Sequence, residues 1–299
     1  MAGTKARVES GFSEVRTLVL GAQVLLGFAY QALFRPRFEI LPPSAKALAA
    51  TAFALLLVTL VCLIAASPFN QIAERSRATR RQDAYTKGLL AAALAPFALA
   101  LGADVVVALT LPFGPGPAWG LGAATTAVAL WFWYGLAWAR RRGRGASPAD
   151  EGEDEALSTE DKIKQLLREG RIVLPGAQAL LGFQFAAYLT ESFERLSTAA
   201  KAAHTSSLFL IALATVMLMA PAPYHRLAEN GEATERFHRV GARLILAALV
   251  PLGLGLAGDL YVVLEVVSGR PGLALLGAVL AAAGALGLWF GVPLLARRR

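Results

Sequence analysis

Asp104 and Asp259 are the residues of this sequence with the most chemistry to offer. Each stands inside a long apolar run, in Gly102-Ala103-Asp104 and in Gly258-Asp259. An ionisable side chain is costly to place in a helix that crosses a bilayer, so each carboxylate is a candidate for binding a proton or a cation. Counted from Gly88, Asp104 lies about 16 residues along its run, roughly 24 Å at 1.5 Å per residue. In a hydrocarbon core about 30 Å thick, that is the outer third rather than the midplane. Two uses of the pair stand side by side. One is an ion or proton site. The other is a structural carboxylate that reaches the outer interface, or bonds Lys46 or Lys201 at the start of the preceding helix. Pro96 and Pro251 lie eight residues before the two Asp. Each removes a helical hydrogen bond and invites a kink, which makes them the hinge positions.

Gln23 and Gln178 occupy a shared Gly-Ala-Gln segment. A buried amide there either bonds across to a neighbouring helix, with small flanking residues allowing close approach, or faces a substrate. With the two Asp they make up the candidate ion or proton site. The three His are His204, His225 and His238. No carboxylate or Cys cluster stands in register with them, so no metal or haem site is expected. His225 and Arg226, with Glu229 close behind, read as a cap on a helix C-terminus, where positive charge is favoured. Glu265 is expected to face water. Gly253-Leu-Gly255-Leu-Ala-Gly258 matches the dinucleotide fingerprint, but that motif needs a preceding strand and turn, and this one lies inside an apolar run beside Pro251. No Walker loop, nucleophile elbow or paired His at helical spacing is present. No catalytic residue, no cofactor and no enzyme activity are expected.

The segments that carry these residues are apolar blocks rather than amphipathic stripes: 17–34, 47–66, 88–113, 117–139, 172–189, 202–220, 240–267 and 272–296. Each is close to the roughly 20 residues needed to cross a bilayer. Of the 299 residues 56% are hydrophobic and 17% charged, with a mean hydropathy of +0.52. A soluble domain carries about 25% charge, so a soluble globular fold is excluded in favour of an all-α integral membrane protein with eight transmembrane helices. A single Cys excludes a disulfide framework. The rings of Trp131, Phe132, Trp133, Tyr134 and Trp138, next to Arg140, read as an interfacial belt. The first sixteen residues show no apolar core with a small-residue cleavage site, so the first helix is expected to stay in the mature chain.

A shift of 155 positions aligns the sequence with itself from Glu14 to about Thr110, with roughly 35 of about 95 positions identical. Gly21–Phe28 meets Gly176–Phe183, Lys46 meets Lys201, Pro96 meets Pro251 and Asp104 meets Asp259. The expected domains are a first four-helix repeat over 1–142, a charged linker over 143–158 and a second four-helix repeat over 159–299. Four crossings bring each copy back to its starting side, so the repeats are parallel rather than inverted. Seven carboxylates between Asp150 and Asp161, with no base among them, read as solvated chain. With the chain starting inside, 23 basic residues fall on the inner face and 6 on the outer, out of the 29 present. By the positive-inside rule both termini are cytoplasmic, and the net charge of +8 is topogenic rather than a sign of nucleic acid. That charge suits anionic lipid headgroups at the cytoplasmic face.

The second copy carries Ala220-Pro-Ala-Pro-Tyr-His-Arg226, Ala228-Glu229, Glu235, His238-Arg239 and Gly255-Leu-Ala-Gly-Asp-Leu-Tyr-Val-Val263. With Gly176-Ala-Gln178 ahead of it, this string resembles a family of small bacterial four-helix membrane proteins of unknown function, sometimes labelled sodium:proton antiporters. The first copy resembles the family more loosely, with Pro68-Phe-Asn-Gln71 where the second has Pro223–Arg226. The resemblance implies a multi-pass protein of a bacterial inner membrane. Two functions follow as expectations. The first is a structural or interaction module of the membrane, with a second copy of the chain or another membrane protein as partner. The second is a proton- or cation-coupled carrier using Asp104 and Asp259.

Overall fold

The computed structural model describes residues 4–75, 77, 79–135, 159–221 and 234–297. Every element in them is helical: α1 (Thr4–Ala32), α2 (Pro36–Glu39), α3 (Pro43–Ile64), α4 (Ala66–Ile72), α5 (Arg80–Phe113) and α6 (Pro115–Leu130), which runs into a π-helical turn (Trp131–Gly135). There follow α7 (Thr159–Tyr188), α8 (Glu191–Glu194), α9 (Thr198–Met219), α10 (Glu235–Ser268), α11 (Pro271–Leu286), a second π-helical turn (Gly287–Gly291) and α12 (Val292–Arg297). The linker at 143–158 and the cap residues His225, Arg226 and Glu229 lie outside the described residues.

The boundaries follow from local chemistry. Thr79 and Thr234 each accept the backbone N–H three residues on, at 3.0 and 3.1 Å, and so cap α5 and α10. Ser197 caps α9 in the same way. Proline opens α3, α6 and α11, where its missing N–H is no loss. Gly114 and Gly269 end α5 and α10 at φ 79° and 63°, a region that L side chains rarely enter. Helices α2, α3 and α5 recur as α8, α9 and α10 with the same lengths, displaced by 155 residues. Beyond them Gly114-Pro115 is answered by Gly269-Arg270-Pro271, and the extra residue moves α11 and its π turn to a displacement of 156.

Among the described residues six stretches are long and apolar enough to cross a membrane: Val8–Ala32, Pro43–Ile72, Arg80–Phe113, Thr198–Met219, Glu235–Ser268 and Pro271–Arg297. The two other expected crossings are shorter among the described residues. Helix α6 has 16 residues before its π turn, and the apolar part of α7 is confined to Ile172–Tyr188 because its first turns are charged. The aromatic group at the end of the fourth block divides. Trp131 and Phe132 are exposed, whereas Trp133 stacks on Phe97 with ring centres 5.5 Å apart and Tyr134 donates to the Ala91 carbonyl.

The two halves meet along α1 and α7, and again where α3 packs on α10. Gln23, fully buried, donates to the Val173 carbonyl at 3.3 Å and lies directly against Gly176. Gly27 lies directly against the Phe183 ring. Trp289, at 0% exposure, donates from its indole to the Val61 carbonyl at 2.9 Å and ties the last long helix to α3. The seam is not symmetric. Gly21 and Gly182, the repeat equivalents of Gly176 and Gly27, have open space where a Cβ would go, and Gln178 is exposed, reaching only the Met219 sulfur at 3.7 Å.

Gly176→Ala should therefore lower stability by about 1–3 kcal/mol, because its Cβ would collide with the Gln23 side chain. Gly21→Ala, at the matching position, should be neutral or stabilising by up to about 1 kcal/mol through helix propensity. Thermal unfolding of the two variants in detergent checks the pair.

Candidate functional site

Four helices bring their polar residues to one buried point. Helix α10 supplies Asp259, α7 Gln184, α9 Ser207 and His204, and α1, from the other half, Tyr30. All five are at most 1% exposed. Gln184 donates from its side-chain nitrogen to Asp259 Oδ1 at 2.6 Å and to the Ser207 hydroxyl at 2.8 Å. The Ser207 hydroxyl faces Asp259 Oδ1 at 2.7 Å and the Gly255 carbonyl at 2.6 Å. Gly255 is where this becomes sterically feasible: a Cβ there would lie 2.6 Å from Ile211 and 3.2 Å from the Ser207 carbonyl. The glycines of the fingerprint-like run are thus packing positions within α10.

The Tyr30 hydroxyl lies 2.5 Å from His204 Nδ1. The phenol and imidazole rings stack at 6° with centres 5.7 Å apart. His204 Nε2 faces the Gln184 carbonyl oxygen at 3.2 Å. A carbonyl only accepts, so Nε2 carries a hydrogen, and in the neutral ring Nδ1 accepts from Tyr30. Tyr30 thereby ties α1 to α9, while the Gln184 side chain and the Ser207 hydroxyl hold Asp259 Oδ1 and the Gln184 carbonyl holds His204.

Sequence reasoning placed Asp259 correctly inside its helix but gave it the wrong partners. Neither Lys reaches it: Lys46 donates to the Glu39 carbonyl at 2.8 Å, and Lys201 pairs with Glu194 at 3.3 Å. The reason is length and direction, since both ammonium groups turn back to the short helix preceding their own. His204, set aside for want of a metal partner, lies at the centre of the cluster. Among the described residues no three His, Cys, Asp or Glu gather closely enough to hold a metal ion. Glu265 does not simply face water: it takes the Ser197 hydroxyl.

Asp104 is not brought into any such cluster. It is half-buried, and no hydrogen bond reaches it among the described residues. The positions matching Gln184, His204 and Ser207 in the first copy are Ala29, Ala49 and Ala52, and the position matching Tyr30 in the second is Phe185. That contrast was a usable signal: three polar residues on two helices of one copy stand where the other has alanine. Gln23 and Gln178 lie apart from both Asp, on the seam and on the surface. Pro96 and Pro251 lie inside α5 and α10.

Beside the cluster, at the ends of the helices away from both termini, a cavity of about 340 Å³ opens between the halves. Phe34 lines it, and the Phe34 ring centre is 5.4 Å from that of Tyr30 and 6.0 Å from that of His204. Phe34 thus borders both the cavity and the Tyr30–His204 pair.

The described residues define a helical protein with six membrane-capable helices among them and a buried carboxylate. The protein belongs to a family of unknown function, DUF6328, whose model matches residues 7–137 and again 152–293. No curated protein and no solved structure matches it.

Tyr30→Phe removes the hydroxyl that joins the halves and leaves His204 Nδ1 without its donor. It should cost about 1–3 kcal/mol of stability. Phe185→Tyr, at the matching and exposed position, should change stability by less than about 0.5 kcal/mol. Denaturation midpoints of the two variants test this contrast.

Proposed function

We propose that this protein is a proton-coupled membrane carrier that works through one site, Asp259–Tyr30–His204, rather than through a symmetric Asp104/Asp259 pair. The observation that supports the reading is a buried carboxylate and a buried imidazole joined through Gln184, whose side chain donates to Asp259 and whose carbonyl faces His204, with the Tyr30 hydroxyl on the other ring nitrogen. Ionisable groups inside membrane helices mark proton pathways. The adjoining cavity supplies the outer approach, with Phe34 bordering both it and the Tyr30–His204 pair. Asp104, without partners, has a structural role at the outer end of α5.

The rest of the reading follows the sequence. Eight helices cross the membrane as two parallel four-helix repeats that arose by tandem duplication, in support of which stand the recurring helix lengths and the twofold family match. Both termini are cytoplasmic, by the distribution of Lys and Arg. The membrane is a bacterial inner membrane, with anionic lipids on the basic inner face. The protein performs no covalent chemistry.

Proton flux in proteoliposomes under an imposed pH gradient tests the reading. Asp259→Asn should abolish flux and Tyr30→Phe should cut it about a hundredfold, while Asp104→Asn retains most of it. Equal loss in the two Asp variants would restore the symmetric pair and overturn the single-site reading.

A second reading, a structural or interaction module that joins other membrane proteins or a second copy of itself, is favoured by the close approach of α1 to α7 at Gly27 and Gly176. Absence of flux in vesicles that hold folded native protein would leave this one standing.

A further inference from the structure

The seam between the halves joins two different faces. In a twofold seam every contact returns with the roles of the halves exchanged, and here the contacts do not return. Gln23 is buried against Gly176 and donates to the Val173 carbonyl. The exchanged pair, Gln178 with Gly21, does not form: Gln178 is exposed and Gly21 has open space at its Cβ. Gly27 takes the Phe183 ring, while Gly182 takes nothing and the Phe28 ring is exposed. Tyr30 on α1 and Ile64 on α3 are each 1% exposed, and their matches, Phe185 on α7 and Met219 on α9, are 54% and 46% exposed. The second half thus fills a socket on α1 and α3, and the same socket on α7 and α9 stands open. It is one continuous face, since Gln178 reaches Met219 across it. The contacts of the seam are also nearly level. Gln23 meets the match of Gly21, and Gly27 meets the match of Phe28, so neither pair is offset by more than two positions. The operation that carries one half onto the other therefore turns it without sliding it along the helices. Applied again, it sets a further unit beside the first at the same depth in a bilayer.

We propose that the open face of α7 and α9 takes the open α1 face of a second copy of this chain, head to tail, repeating the seam that joins the halves. Gln178 then lies against Gly21 of the second copy and donates to the Leu18 carbonyl there, as Gln23 does to Gly176 and Val173. Gly182 receives the Phe28 ring, as Gly27 receives that of Phe183. Lipid tails can cover Phe185 and Met219, but they offer an amide neither donor nor acceptor. Within its own chain Gln178 reaches only a thioether sulfur at 3.7 Å. A second copy supplies the bare backbone and the carbonyl that the matching amide already uses, and small residues at the contact allow that approach. A head-to-tail contact without slide closes into a ring of chains rather than climbing out of the membrane. The contact between chains is the weaker of the two, because Phe185 has no hydroxyl and Ala49 stands where the second half has His204. The inference gives the interaction reading a face and a partner, and it is independent of proton transport.

Oxidative crosslinking of the full chain in phosphatidylethanolamine–phosphatidylglycerol liposomes tests the proposal, with Cys62→Ala as the background. Gly21→Cys and Gln178→Cys are placed on chains with different tags and reconstituted separately and together. The expected product carries both tags and forms when the two variants are mixed, because the two positions face each other across chains. Either variant alone should give at least about tenfold less, since neither face meets itself. Single-molecule photobleaching of labelled chains over a range of protein-to-lipid ratios gives the association itself and serves if a Cys variant fails to fold. Gly182→Trp, whose new ring enters open space in the single chain, should weaken association at least about tenfold. Val279→Trp, at an exposed position on α11, should leave it unchanged. Single chains at every density would mean that lipid alone covers the face, and would overturn the proposal. Equal crosslinking by either Cys variant alone, or equal effects of the two Trp variants, would overturn it as well. Proton flux is read separately, so loss of self-association and loss of transport are distinguishable results.

Discussion

An apolar interior offers no water to a polar group, and the architecture around Asp259 answers to that constraint. A buried carboxylate needs donors, and it draws them from two other helices, Gln184 on α7 and Ser207 on α9, while Tyr30 on α1 bonds His204 beside them. Each donor is itself committed elsewhere. Ser207 needs the bare backbone of Gly255 beside it, and Tyr30 needs His204, which in turn needs the Gln184 carbonyl. Moving any of the four helices breaks bonds that nothing else in the apolar surroundings can replace. The cluster therefore fixes the relative positions of α1, α7, α9 and α10 more strongly than side-chain packing between leucines and alanines would.

The same constraint explains why the halves, so similar in helix lengths, differ in chemistry. A polar network in an apolar interior is stable when complete and costly when partial. In the second half Gln184, His204, Ser207 and Asp259 are present together. In the first, Ala29, Ala49 and Ala52 stand at the matching positions, and Asp104 is left half-buried. Tyr30 belongs to the first half by sequence but to the second half's cluster by position, which makes the cluster a property of the joined chain.

Close approach between the halves depends on small residues at one register. Gly176 admits Gln23 and Gly27 admits the Phe183 ring, so α1 and α7 meet at near-backbone distance. At the far ends Arg195 takes Glu39 across the same boundary. As an exposed ion pair it adds little to stability, about 1 kcal/mol or less. It also draws the Glu39 carboxylate away from Lys46, which keeps the Glu39 backbone carbonyl as its partner.

Much of the fold was legible in the residues themselves. Long apolar runs dictate helices, Pro and Gly at Pro43, Pro115, Gly114 and Gly269 mark where they start and stop, and the 155-residue self-similarity anticipated that α3 and α5 would return as α9 and α10. These are local or periodic properties, carried by neighbouring residues and read without knowing what lies opposite. The candidate site was half legible: Asp259 announced itself as a charge in an apolar run, but Gln184, Ser207, His204 and Tyr30 did not, because a polar residue in a helix acquires its role from the helix it faces. Gln23 and Gln178 show the limit most plainly. They are the same residue in the same motif, yet one is sealed against Gly176 and the other is exposed. Only the tertiary structure decided between them, because rotation of α7 against α1 determines which copy of the motif meets a partner.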